Sequence, residues 1–343
     1  MERFVCIHGH FYQPPREHPW LEAIERQPSA YPFHDWNERI TAECYEPNGA
    51  ARVLDDEGRI LRLVKNYARI SFNVGPTLLR WMQVQAPDTY AAILEGDRRS
   101  IQRFGHGSAL AQAYHHAILP LANERDRRTE ILWGIEDFRH RFGRDPQGMW
   151  CAEAAVDVGT LDELAGQGVG FTVLSPYQAQ GVRRIGDGAW TDVTGGAVDS
   201  TVAYRVGLPS GRDITVFFYD GERSRAVAFE GLLDSGAQFA ERLIEGLDDG
   251  NDGPKLLHIA TDGESYGHHH RHGEMALAFA LQRIEETDGV ELTNYAAFLD
   301  RFPPEHEAQI LAPSSWSCAH GVERWRADCG CTTGGHPGWN QAW

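Results

Sequence analysis

No stretch of the 343-residue chain approaches the ~20 uninterrupted apolar residues that a membrane-spanning helix requires. The opening, MERFVCIHGHF, has no basic stretch leading into an apolar run. The two absences argue against an anchor or a secretory leader and lead us to expect a cytoplasmic protein. There is no G-x-G-x-x-G fingerprint and no Walker-type lysine motif, and short runs such as GDGA are weak evidence for phosphate binding. Positive charge is also scarce. With 32 Lys and Arg against 49 Asp and Glu, the net charge is −17, which repels phosphate backbones and anionic lipid surfaces. Nucleic acid and membrane are therefore not expected partners, and neutral or cationic small ligands remain. Internal repeats and low-complexity linkers are absent too.

Against ordinary hydrophobic (42%) and charged (24%) fractions, 10 Trp and 16 His stand out. The six cysteines, Cys6, Cys44, Cys151, Cys318, Cys329 and Cys331, read as thiols or ligands in a chain without a leader, not as a disulfide framework. Short β-rich runs alternate with helical ones, as in βα units around a parallel sheet. Strands are expected at 3–8, 68–74, 146–153, 169–175, 211–220 and 255–261. Helices are expected after Pro76, over 123–143 with Gly143 as the stop, from about 157 to 168, from 236 to 247 and from 273 to 287. Residues 12–60, rich in Pro, Trp, Glu and Arg, have little periodicity, and 178–212 carries repeated Gly with short β-like pieces such as STVAYRV; both read as long insertions, a kind of segment that tends to be functional.

The ends of these strands are polar. His8 and His10 close the first, Asn73 the second, FGHG contributes His106, GMWCAE ends at Glu153, TVFFYD at Asp220, and LLHIATDGE at Asp262 and Glu264. In α/β barrels the carboxyl ends of the strands form the ligand site. His8 and His10, one residue apart on a strand, point to the same face. Each has a plainer reading: a strand-end histidine such as His106 is often a structural hydrogen-bonded residue, and Asp220 and Asp262 can simply shape turns. The run at His268 to His270 with His272 can be a solvated helix start. Glu153 and Asp262 remain the pair that glycoside chemistry would use, one carboxylate attacking and the other acid donating a proton. Trp150, Trp20, Trp190, Trp316 and Trp325 offer flat surfaces for sugar rings, although bulky aromatics more often belong to a core.

Four stretches carry a resemblance. CIHGHFYQPP, YHHAILPLA, GMWCAEAAVD and ATDGESYGHH resemble, in order, the first four conserved regions of glycoside hydrolase family 57. The resemblance implies an α/β fold built as an incomplete seven-stranded (β/α) barrel with long inserted loops, a retaining mechanism, and an α-glucan or α-linked oligosaccharide as substrate, with no cofactor required. Carried over to this sequence, it makes Glu153 the nucleophile and Asp262 the acid/base. The same resemblance makes His8, His10, Gln13 and His106 substrate-orienting candidates, with Glu264 supporting the orientation of Asp262. On their residue types and positions alone, Trp150, His268 and Trp316 join Glu264 as further substrate-binding candidates. We expect the catalytic barrel over 1–303 and an irregular Cys/Trp-rich extension over 304–343.

That extension does not resemble the fifth region of the well-known amylases and glucanotransferases. It is similar to a branch in which the barrel precedes a DUF3536 domain, so that a further C-terminal region would follow. It also contains Cys318, His320, Cys329 and Cys331 in the pattern C-x-H-x8-C-x-C, a possible structural zinc site with spacings tighter than the common ones. Two other functions stay open on the residues alone: a metal-dependent hydrolase or deacylase using His8, His10 and Asp262, and a non-catalytic glycan-binding protein on the same scaffold.

Overall fold

Nine consecutive residues, Arg3–Phe11, form a strand that is buried from Phe4 onward. Such a run, closed on both faces, is what the centre of a parallel sheet requires. In the computed structural model, which describes residues 2–55, 57–247 and 253–331, this strand is three residues longer than the sequence suggests. Along one edge it pairs in parallel with Lys255–Asp262, in the register His8 to Ala260 and His10 to Asp262. Its other edge is shared: Val290–Leu292 pairs with its first residues and Ser71–Val74 with its last. All four strands run the same way, and the carboxyl ends of three of them lie together at His10, Asn73 and Asp262, whereas Val290–Leu292 ends opposite Val5. Helices Pro76–Gln85, Pro87–Phe104, Gly236–Glu245, Gly273–Glu285 and Tyr295–Arg301 accompany this sheet.

These elements make up the first of two compact units, Met1–Leu110 with Glu222–Phe302; the second takes Ala111–Gly221 and the described residues from Pro303 onward. The boundary expected near residue 303 falls where the chain returns to the second unit. The residues before it are themselves divided between the two units. Residues 332–343 of the expected extension, including the Gly pair at 334–335, lie outside the described residues.

Within the second unit, Phe171–Leu174 pairs in parallel with Asp213–Phe218. The sheet continues through Ala203–Gly207, His306–Ile310, Ala179–Arg184 and Thr191–Asp192. The inserted segment 178–212 thus supplies three strands: Ala203–Gly207 falls on the β-like piece STVAYRV, while Ala179–Arg184 and Thr191–Asp192 are not individually marked in the sequence. A separate short parallel pair joins Ala111–Gln112 to Met149–Trp150. Helix Glu124–Phe142 starts and stops where the sequence indicates: the Asn123 side chain accepts from the Asp126 amide, and Gly143 ends it at φ 68°. Helix Val158–Gly166 is capped likewise by Asp157. The mixed α/β class with parallel strands agrees with expectation. Among the described residues no helix is long and apolar enough to cross a membrane.

Candidate active site

In the first unit, the polar strand ends are joined by hydrogen bonds. Asn73 donates its amide N–H to Nδ1 of His10 at 2.8 Å and accepts from Nε2 of His8 at 3.0 Å. One side chain therefore bridges both rings. With Nδ1 accepting, a neutral His10 carries its proton on Nε2 and is a donor there. His8 is fully buried, and burial lowers its pKa to about 3, so it is neutral throughout the physiological range. Gln13, also buried, donates to the Tyr12 carbonyl at 2.8 Å and accepts from Arg16 at 2.7 Å.

Strand Lys255–Asp262 leads directly into a short 3-10 turn, Gly263–Ser265. Asp262 is exposed, whereas Glu264 two residues on is 5% exposed. Gly263 makes the sharp change possible: a Cβ there would lie 2.3 Å from the Phe11 ring. Glu264 accepts from the Tyr12 amide at 3.0 Å and from the Tyr45 hydroxyl. Burial first, and the charge of Asp262 second, push its pKa up to about 8 in spite of those donors. His268 pairs through Nδ1 with Glu43 and is partly exposed.

His106 does not join this group. It follows helix Pro87–Phe104 and precedes the backbone pairing of Ala109 with Phe72. That puts it at the amino end of its strand, with Nε2 3.6 Å from Asp300 and its carbonyl bonded by Asn294. The expectation that FGHG ends a strand is corrected: Gly105, at φ 78°, is the helix stop.

The second unit holds Glu153. The strand expected over 146–153 is only Met149–Trp150; beyond it the chain enters a tight turn, Ala152–Ala154. Glu153 sits there at φ 58° and Ala154 at φ 48°. Two successive non-glycine residues in the left-handed region cost roughly 1–3 kcal/mol each, and such strain gathers at functional sites. What holds the turn comes from the far end of the chain. The Trp316 amide donates to the Glu153 carbonyl at 3.0 Å, the Trp316 indole N–H to Oε2 at 3.0 Å, and the Ser317 hydroxyl to the same oxygen at 2.6 Å. Among the described residues, Oε1 accepts no hydrogen bond. The carboxyl group is half-buried.

Trp150 has no exposed surface and packs edge-on against Trp316, ring centroids 5.1 Å apart. It therefore offers no face to a sugar, and its role as a platform is corrected to that of a support behind Trp316. His116, in YHHAILPLA, lies close enough to Glu153 for the carboxylate charge to act on it; burial nevertheless lowers its pKa to about 4. The four candidate ligands of the tail also come together, with all ligand atoms within 4.8 Å of one another.

Sequence reading did not single out Tyr45, His116 or Ser317. Tyr45 sits in the aperiodic segment 12–60, on a π-helical turn Thr41–Tyr45 between the short helices Trp36–Ile40 and Glu46–Gly49, too short for a periodicity to register. The doubled histidine of YHHAILPLA was a usable signal for His116; nothing local marks Ser317.

The first unit is thus a parallel α/β sheet whose strands end in carboxyl, imidazole and amide side chains. The chain belongs to Glycosyl hydrolase family 57, whose sequence profile matches residues 32–311. Its fold is shared with a 4-alpha-glucanotransferase from Thermococcus litoralis (17% identity, TM-score 0.65), matched over 94% of this chain and 43% of that one. It is shared also with a GH57-type branching enzyme from Pyrococcus horikoshii (16% identity, TM-score 0.68), over 95% of this chain and 75% of that one. An alpha-amylase from Thermotoga maritima (15% identity, TM-score 0.64) covers 93% of this chain and 78% of its own. The chain thus spans less than half the length of the glucanotransferase. No curated protein sequence matches it.

Proposed function

We propose that the protein is a retaining glycoside hydrolase or transglycosylase acting on an α-glucan or α-linked oligosaccharide. Family membership supports glycoside chemistry over the metal-dependent deacylase reading. The observation that carries the reading further is the state of Glu153: one carboxylate oxygen is held by two donors and the other accepts none among the described residues, on a backbone turn kept in a strained conformation. A nucleophile needs that combination of a fixed group and one uncommitted lone-pair oxygen.

In this scheme Oε1 of Glu153 attacks the anomeric carbon while Asp262 gives its proton to the departing glycosidic oxygen. Asp262 then takes a proton from water or an acceptor hydroxyl, which displaces Glu153, so two inversions return the original anomer. Glu264, buried and bonded to Tyr12 and Tyr45, fixes the turn that presents Asp262. In the same reading His10 and Gln13 orient sugar hydroxyls, and Trp316 and His268 complete the substrate contacts. The Cys/Trp-rich tail supports placing the chain in the branch followed by a DUF3536 domain.

A panel of α-linked malto-oligosaccharides, with product anomers followed by NMR, tests the reading. Retained α configuration is expected, together with losses of about 10²–10⁴-fold in Asp262→Asn and at least as large in Glu153→Gln. Azide added to Glu153→Ala should restore turnover as a glycosyl azide of inverted configuration. Wild-type activity in Glu153→Gln overturns the assignment, and binding of the sugars without any product favours a glycan-binding role.

A further inference from the structure

The segment that grips Glu153 is tied down at Ser314, paired with Val156 in both directions, and at Trp316, packed on Trp150, but has little regular structure or buried apolar surface beyond them. From Leu311 to Cys331 the only regular element is the three-residue turn Glu323–Trp325, and the only buried side chains are Ser314, Ser315, Cys318 and Val322. One apolar anchor and one thiol do little to offset the conformational entropy of fixing some twenty residues. Yet Trp316 and Ser317 must be fixed for their donors to reach Oε2.

Immediately after them the chain gathers three thiols and an imidazole. Sγ of Cys318 is 3.8 Å from Sγ of Cys329, and Sγ of Cys331 is 3.3 Å from Nδ1 of His320. A tetrahedral zinc with Zn–S near 2.3 Å and Zn–N near 2.0–2.1 Å sets its ligand atoms about 3.5–3.8 Å apart, so the four atoms need shifts of only a few tenths of an ångström to about 1 Å. The tight C-x-H and C-x-C spacings are made possible by glycine. Gly330 between the two cysteines and Gly321 after His320 are both at φ 80°, and the Gly321 amide closes a turn onto the Cys318 carbonyl. The Ser315 hydroxyl donates to the Gly321 carbonyl at 2.6 Å, and Arg324 donates to the Ser317 carbonyl at 2.8 Å.

We propose that Cys318, His320, Cys329 and Cys331 bind one structural zinc ion, and that this ion clips the segment whose Trp316 and Ser317 hold the Glu153 carboxylate. Binding releases the three thiol protons, and His320 gives its Nδ1 lone pair while its ring proton stays on Nε2. A disulfide is the competing fate of such thiols, but it would use two sulfurs and leave the imidazole without purpose. The metal site does not depend on the reading of Glu153 as nucleophile; the functional weight of the clip does.

The protein purified from zinc-supplemented medium and dialysed should hold about one zinc per chain by elemental mass spectrometry. Cobalt substituted for it should give thiolate-to-metal charge-transfer absorption and visible ligand-field bands. Cys318→Ser and Cys331→Ser should lose the metal, whereas Cys329→His, which keeps a ligand, should retain it. Adding zinc to chelated protein should shift tryptophan emission, and the shift should be smaller in Trp316→Phe. Zinc content near zero in correctly folded wild type, or tail thiols recovered by reductant and not by chelation, overturns the site. Zinc bound with no change at Trp316 overturns the clip. Failure of the Glu153 reading shows separately, in the activity of Glu153→Gln.

Discussion

Trp316 donates twice to Glu153: its amide to the Glu153 carbonyl and its indole N–H to Oε2, each at 3.0 Å. Backbone and side chain of residues 163 positions apart are thereby tied together. A hydrogen bond to a charged group is worth about 1.5–3 kcal/mol, so Ser317→Ala and Trp316→Phe should each lower kcat/KM about 10–100-fold. Because both donors share one oxygen, the double variant should lose less than the product of the two. Steady-state kinetics on the substrate found in the oligosaccharide panel is the measurement. Unchanged rates in both single variants would remove these donors from the mechanism.

Glu264 should make stability fall as pH rises. Its folded pKa is raised to about 8 from 4.5, so between these values the folded chain holds a proton that the unfolded chain has released. The stabilisation is complete below the unfolded pKa and is lost as pH climbs toward the folded one, by on the order of 3 kcal/mol near pH 7. Urea denaturation midpoints at pH 5 and pH 7.5 should therefore converge in Glu264→Gln relative to wild type. An equal pH dependence in the two proteins contradicts the raised pKa.

Gly263→Ala tests the close approach that turns the chain between Asp262 and Glu264. The new methyl would stand 2.3 Å from the Phe11 ring, and overpacking of this kind costs about 1–3 kcal/mol. A lower thermal midpoint is expected, with a loss of kcat because Asp262 is displaced along with its neighbour. Restoring space with Phe11→Leu in the same chain should recover part of both.

Asn73→Ala removes the amide between His8 and His10. Breaking bonds between buried polar groups costs about 1–3 kcal/mol each, and His10 also loses the contact that sets its tautomer. Chemical denaturation should show the stability loss, and NMR of the ring nitrogens should show a changed protonation pattern at His10. Ring signals identical to wild type would mean that the bridge does not govern His10.

Much of the scaffold is legible because its signals are local. RFVCIH reads as a buried strand since every residue must suit an apolar layer, and Asn123 and Gly143 mark a helix because capping and left-handed closure act within one turn. The paired acids of ATDGES and the histidines of CIHGH are visible as clustered polarity at the end of apolar runs. The aperiodic stretch 12–60 is less legible: helices of four or five residues have too few turns to show a period and form only with tertiary support. In segment 178–212 the β-branched and aromatic run STVAYRV marks the strand Ala203–Gly207, but Ala179–Arg184 and Thr191–Asp192 look like loop between glycines until a sheet claims them.

The sequence by itself determined the chemistry on offer: acids, imidazoles and indoles at strand ends, a negative surface, and a thiol-rich tail. Only the tertiary structure decided how those groups are held. PQGMWCAE has the composition of a strand, yet Glu153 leaves the extended region because Trp316 and Ser317 bind it from the far end of the chain. Glu264 keeps its proton to a higher pH than an ordinary carboxyl group because it is buried and close to the charge of Asp262, in spite of its bonds to Tyr12 and Tyr45. Long-range hydrogen bonds and burial depend on partners hundreds of residues away, and no local pattern encodes them.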